Sequence, residues 1–131
     1  MHPAYACANE RAPLNILVVD DDEPVAASIK YVLRQAGHAV DVFHDGLAAI
    51  ARLNEHPAHY DVLIADHTMP RMSGLELLVK LPLNVLKDKI IIVSAYLNAE
   101  LEANYLSLGA GKIIRKPFEI EELQKAVEAL R

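Results

Sequence analysis

Three consecutive aspartates, Asp20, Asp21 and Asp22, end the apolar run Ile16 to Val19, and Asp66 ends a second run, Val62 to Ala65. Ser94 closes a third run, Ile90 to Val93, and Lys116 follows the segment Lys112 to Arg115. Carboxylates gathered at strand tips repel one another, since two unit charges ~4 Å apart cost about 4 kcal/mol at an effective dielectric near 20. A hard divalent cation is the ordinary remedy. Two or three carboxylates can hold Mg²⁺, which takes oxygen ligands in near-octahedral geometry and keeps several waters. A carboxylate can also attack phosphorus, and a lysine ammonium with a serine hydroxyl can bind phosphoryl oxygens. Asp20, Asp21, Asp66, Ser94 and Lys116 therefore read as a Mg²⁺-assisted phosphoryl site centred on an aspartate.

The elements that must position these residues alternate strand and helix five times. Asn15 to Val19 is short, apolar and β-branched, which marks a buried strand. Pro24 suits a first helical turn. Val25, Ile29, Val32, Leu33 and Ala36 then recur at helical spacing, and Gly37 is placed to end that helix. Ala39 to Phe43 reads as a second strand. Leu47, Ile50, Ala51 and Leu53 mark a second helix, stopped near Pro57, and Tyr60 to Ala65 a third strand. Ser73 and Glu76 form a capping box opening a helix whose apolar face is Leu75, Leu78 and Val79. Ile90 to Val93 is the plainest buried strand. Ala99 to Leu108 is a weaker helix ending at Gly109, and Lys112 to Arg115 a fifth strand. Ile120, Leu123, Ala126, Val127 and Leu130 define an amphipathic closing helix. The sum is (βα)₅, a doubly wound parallel sheet with helices on both faces. In such sheets chemistry gathers at the carboxyl ends of the strands.

At 131 residues the chain suits one domain, expected over residues 14–131, with residues 1–13 as a flexible tail. No apolar run approaches the ~20 residues that span a bilayer, and the first residues lack a secretory signal's basic start and apolar core. Cys7 is the only cysteine, so no intrachain disulfide can form and a cytoplasmic setting is expected. The net charge of −5 argues against nucleic acid as a direct partner.

Four stretches carry a family resemblance: I-L-V-V-D-D-D-E-P (Ile16 to Pro24), D-V-L-I-A-D-H-T-M-P-R-M-S-G-L-E-L-L (Asp61 to Leu78), I-I-I-V-S-A (Ile90 to Ala95) and G-A-x-K-I-I-R-K-P-F (Gly109 to Phe118). Over residues 14–131 the chain resembles the response-regulator receiver domain of two-component signalling. The resemblance implies a flavodoxin-like strand order, 2-1-3-4-5. It implies Asp66 as phosphoacceptor, with Asp21 and Asp66 binding Mg²⁺ directly, Thr68 lending its backbone carbonyl and Asp20 acting mostly through water. It further implies that Ser94 and Lys116 bind the phosphoryl group and that the Lys116–Pro117 bond is cis. The implied donor is a phosphohistidine on a sensor kinase or a histidine phosphotransfer protein. The implied readout is a change in the surface of the fourth helix, fifth strand and fifth helix toward a downstream protein or linked output domain. Such a protein is a switch rather than a turnover enzyme.

Several residues have a plainer reading. Asp22 serves as the N-cap of the first helix. Met69 and Met72 pack the loop after Asp66, His67 is an exposed neighbour of the acceptor, and Gly109 and Gly111 suit turns. Two departures bear on mechanism. Ile113 stands where the family often has an aromatic that swings inward, so any switch rests on Ser94, its loop and the fourth helix. Tyr96, two residues past Ser94, lies near the expected path of attacking water. Two other readings remain: a pseudo-receiver that binds proteins without phosphorylation, and a phosphatase of the haloacid-dehalogenase type, whose D-x-D opening Asp20 and Asp22 imitate.

Overall fold

The computed structural model describes residues 12–82 and 85–131; the expected tail thus lies almost wholly outside the described residues. Five parallel strands alternate with five helices: β1 (Asn15–Val19), α1 (Glu23–Gln35), β2 (Ala39–Phe43), α2 (Gly46–Glu55), β3 (Val62–Asp66), α3 (Gly74–Lys80), β4 (Ile90–Ser94), α4 (Ala99–Ser107), β5 (Ala110–Arg115) and α5 (Ile120–Ala129). The sheet order is β2-β1-β3-β4-β5, the flavodoxin-like order. No helix among the described residues is long and apolar enough to cross a membrane.

Alternation along each strand divides the interior into two layers, because successive side chains point to opposite faces. Leu17, Val19, Leu63, Ala65 and Ile92 face α2, α3 and α4, where they meet Ala49, Leu53, Leu77, Leu78 and Tyr105. Ile16, Val18, Ile64, Ile91, Val93 and Ile114 face α1 and α5, where they meet Ile29, Leu33, Leu123, Ala126 and Val127. Both faces of the central strands are thus dry, which is why their sequences are almost wholly apolar.

Register aligns the strand ends. Val19 pairs with Ala65, Asp66 with Val93, and Ser94 with Arg115. Backbone bonds then run one residue past the strands: Asp20 N–H donates to Phe43 C=O (3.0 Å), His67 to Val93 (2.9 Å) and Lys116 to Ser94 (2.8 Å). These bonds hold Asp20, His67 and Lys116 against one rim of the sheet.

Helix starts follow local chemistry. Asp22 caps α1 by accepting from Val25 N–H, Asp45 caps α2 and Asn98 caps α4. Ser73 and Glu76 complete the capping box of α3. Gly37 and Gly109, both at φ +99°, end α1 and α4 in a conformation costly for other residues.

Packing corrects several expectations. β3 begins at Val62 and includes Asp66, and β5 begins at Ala110. Gly111 is not a turn residue but the extra residue of a bulge: Ile90 pairs with Ala110 and Ile91 with Lys112. A Cβ there would lie 2.4 Å from the Asp88 carbonyl oxygen, so only glycine allows that approach. In α3 the buried face is Gly74, Leu77 and Leu78, while Val79 is exposed. Leu47, Ala51 and Ile120 also face solvent. A helix lying on a sheet buries only the stripe directly beneath it, and the sheet's position, not the helix's own pattern, chooses which stripe.

Candidate functional site

At the carboxyl rim, Asp20 and Asp66 are buried at 2% and 7% exposure, whereas Asp21 faces solvent. One carboxylate oxygen from each of the three lies within 4.8 Å of the others. Lys116 Nζ sits 3.2 Å from Asp66 Oδ1 and 3.6 Å from Asp20 Oδ2. The Lys116–Pro117 peptide is cis. Asp20 Oδ1 also accepts from Asp22 N–H at 2.9 Å, and the Thr68 backbone amide donates to the Asp66 carboxylate.

Burial pushes the pKa of Asp20 above the usual carboxylate range; Asp66 and Asp21 add repulsion, while the Asp22 amide and Lys116 oppose the shift. Burial likewise raises Asp66, against the pull of Lys116 and the Thr68 amide. One ammonium facing two buried carboxylates and an exposed third therefore under-compensates them. All the side-chain donors are carboxylate oxygens, a set that suits a hard divalent ion such as Mg²⁺ and not a soft metal.

Asp22 points elsewhere. Its Oδ1 accepts from Val25 N–H at 3.3 Å as the α1 cap, so the D-x-D reading loses its second carboxylate. Ser94 ends β4 at 1% exposure. Its hydroxyl donates to the Tyr96 carbonyl (2.6 Å) and accepts from the Tyr96 amide (3.1 Å). Both hydrogen-bonding roles of Ser94 are thus used by its own loop. The exposed Tyr96 ring is held at its hydroxyl by Asn98 Nδ2 (3.0 Å), and Asn98 Oδ1 caps α4 through Leu101 N–H (2.8 Å). Ile113 is partly buried against the α2–α3–α4 layer. Met69 and Met72 are buried in that same layer.

His67 is not the exposed bystander that its neighbours suggested. It is half-buried, and its Nδ1 lies 2.5 Å from the hydroxyl of Tyr105, a fully buried residue of α4. This contact went unread in the sequence because the two residues belong to different elements. The available signal was a lone aromatic in the helix with the weakest apolar periodicity.

Residues 16–128 match the family model for the response regulator receiver domain. The two-component response regulator PhoP of Pseudomonas aeruginosa is 32% identical over 117 residues, which cover 89% of this chain and 51% of that protein. Response regulator MprA of Mycobacterium avium is 34% identical over 118 residues, 89% of this chain and 50% of that protein. The chain therefore spans about half the length of these curated relatives. Among solved structures, the chemotaxis protein CheY4 of Vibrio cholerae superposes with a TM-score of 0.82 at 28% identity, covering 92% of this chain and 100% of that one. The receiver domain of Francisella response regulator 1452 superposes with a TM-score of 0.76 at 32% identity, covering 89% and 95%.

Proposed function

Because the chain belongs to the response regulator receiver domain family, a family of signalling proteins, we propose that it is a phosphoacceptor switch with Asp66 as the acceptor and residues 14–131 as the receiver unit. The observation that carries this reading is the buried Asp66 carboxylate held 3.2 Å from Lys116 beside two further aspartates.

In the proposed reaction an Asp66 carboxylate oxygen attacks the phosphorus of a phosphohistidine. An O–P bond forms, the P–N bond breaks, and its electron pair leaves with the donor imidazole, giving an acyl phosphate on Asp66. Lys116 balances negative charge on the phosphoryl oxygens, being already paired with the attacking group. Asp21, Asp66 and the Thr68 backbone carbonyl would hold Mg²⁺, with Asp20 acting mostly through water; bound there, the ion would neutralise charge on acceptor and phosphoryl oxygens. For Ser94 to donate to the new phosphoryl group, its hydroxyl must release the Tyr96 carbonyl. Because Asn98 ties Tyr96 to the start of α4, that release loosens the α4 cap. A differential contact of this kind can bias a two-state loop by about 1–3 kcal/mol.

The donor is a sensor histidine kinase or a histidine phosphotransfer protein. An apolar groove of about 540 Å³ runs beside the site between α1 and the Pro117–Phe118 turn, lined by Val25, Ile29, Val32 and Phe118 and bordered by Lys116. It offers the donor a docking surface adjacent to the acceptor. The response is read at the α4–β5–α5 face by a downstream protein or a linked output domain.

The test is treatment with acetyl phosphate and Mg²⁺, followed by intact-mass measurement. The wild type is expected to gain one phosphoryl group, and Asp66→Asn none while remaining folded by circular dichroism. A wild type that stays unlabelled would establish the pseudo-receiver reading, and equal labelling of Asp66→Asn would remove Asp66 as the acceptor.

A further inference from the structure

Among the described residues, a hydrogen bond joins His67, the residue after the acceptor strand, to α4 within a largely apolar layer. Among the described residues of α4, Tyr105 is the buried one. Its hydroxyl reaches past α3 to His67 Nδ1, and the two rings meet edge-on at 5.5 Å between centroids. The Leu75 backbone also bonds that hydroxyl. Space for it exists only because residue 74 is glycine: a Cβ there would stand 2.7 Å from the Tyr105 oxygen. His67 is in turn fixed by its backbone, whose N–H donates to Val93 and whose carbonyl accepts from Gly74 N–H, both at 2.9 Å.

We propose that His67 and Tyr105 are positioning residues, and that the hydrogen bond between them transmits the state of Asp66 to α4. The proposal rests on Asp66 being the acceptor. Three observations support it. His67 follows Asp66 directly and shares its rigid attachment to β4 and α3, so displacement of the strand tip moves the imidazole. Tyr105 feels the acceptor's charge, since Asp66 adds to the burial that raises its hydroxyl pKa. Ile113, lacking a polar group, offers no hydrogen bond at the β5 position beside this layer, so the buried pair stands with the Ser94–Tyr96–Asn98 chain as a polar route to α4.

The experiment measures amide hydrogen exchange across Ala99–Ser107 in the full chain, before and after acetyl phosphate with Mg²⁺, with labelling read by intact mass on the same samples. The variants are Tyr105→Phe, His67→Leu and their combination. Wild type is expected to show a phosphorylation-dependent change in α4 exchange. Tyr105→Phe, which keeps the ring, is expected to be labelled as fully while its α4 response shrinks by about fivefold, the worth of one net hydrogen bond. His67→Leu should do the same, and the double variant should lose no more than either single, as for two partners in one contact. Normal labelling with an undiminished α4 response in Tyr105→Phe, or additive losses in the double variant, would overturn the proposal and leave the phosphoacceptor reading intact. An unlabelled wild type would instead remove both, and the mass measurement tells the two outcomes apart.

Discussion

The Lys116 ammonium lies 3.2 Å from Asp66 Oδ1 and also faces Asp20, so one cation serves two buried carboxylates. That cation occupies ground a divalent ion would share. Lys116→Met keeps much of the side-chain volume while removing a positive charge that repels Mg²⁺. The variant is expected to bind Mg²⁺ more tightly, on the order of tenfold, at low ionic strength. Isothermal titration checks this, and equal or weaker affinity would contradict the proposed metal position.

Tyr96 follows Ser94 by two residues with its ring exposed and its hydroxyl held by Asn98. If its ring shields the acyl phosphate from water, Tyr96→Ala should shorten the phosphoryl lifetime, on the order of tenfold for a change of about 1.4 kcal/mol in the barrier. The decay of the labelled species by mass spectrometry measures it. An unchanged decay rate removes this role.

Gly74 is enclosed on two sides. Its missing Cβ would meet the Tyr105 hydroxyl at 2.7 Å and the Asp66 backbone carbonyl at 2.9 Å. The carbonyl belongs to a central strand and cannot yield, so Gly74→Ala should destabilise the fold by about 1–3 kcal/mol despite alanine's better helix propensity. Combining it with Tyr105→Phe should recover only part of that loss, because the carbonyl remains. Urea denaturation at neutral pH gives the values; a Gly74→Ala midpoint at or above wild type would rule out the close approach.

His38 sets a pH dependence at the opposite rim. Its Nδ1 accepts from Leu14 N–H at 3.0 Å and its Nε2 lies 3.4 Å from Glu128. Burial lowers its pKa, with Arg131 adding to the shift and Glu128 opposing it. The folded state therefore binds a proton less readily than the unfolded chain. The corresponding stability is present above the ordinary histidine pKa of about 6.5 and is lost as pH falls below it. His38→Asn, which can keep an acceptor for Leu14, should lose less stability than wild type between about pH 7.5 and pH 5. Identical losses in the two proteins would show that His38 does not titrate across folding.

The strand tips were readable because each is announced locally. Ile16 to Val19 and Ile90 to Val93 are β-branched runs that stop at a polar residue, and a parallel sheet brings all such stops to one rim. The Asp22 and Ser73 caps were readable for the same reason, since a cap and its helix are adjacent in the chain. Val79 and Ile120 misled because α3 and α5 carry more apolar residues than the sheet can cover. Which ones it covers depends on where each helix axis comes to rest.

Taken alone, the sequence determined the alternation of elements, the two-faced burial of the strands and the identity of the polar residues at their ends. These are properties of neighbouring residues, with periods of two or about 3.6 that need no partner to be seen. Only the tertiary structure decided that Ser94 spends its hydroxyl on Tyr96, that His67 turns inward to Tyr105, and that His38 is enclosed near Glu128. Those contacts depend on the separation and rotation of packed layers, set by the fit of many side chains at once, and no short stretch of sequence contains that information.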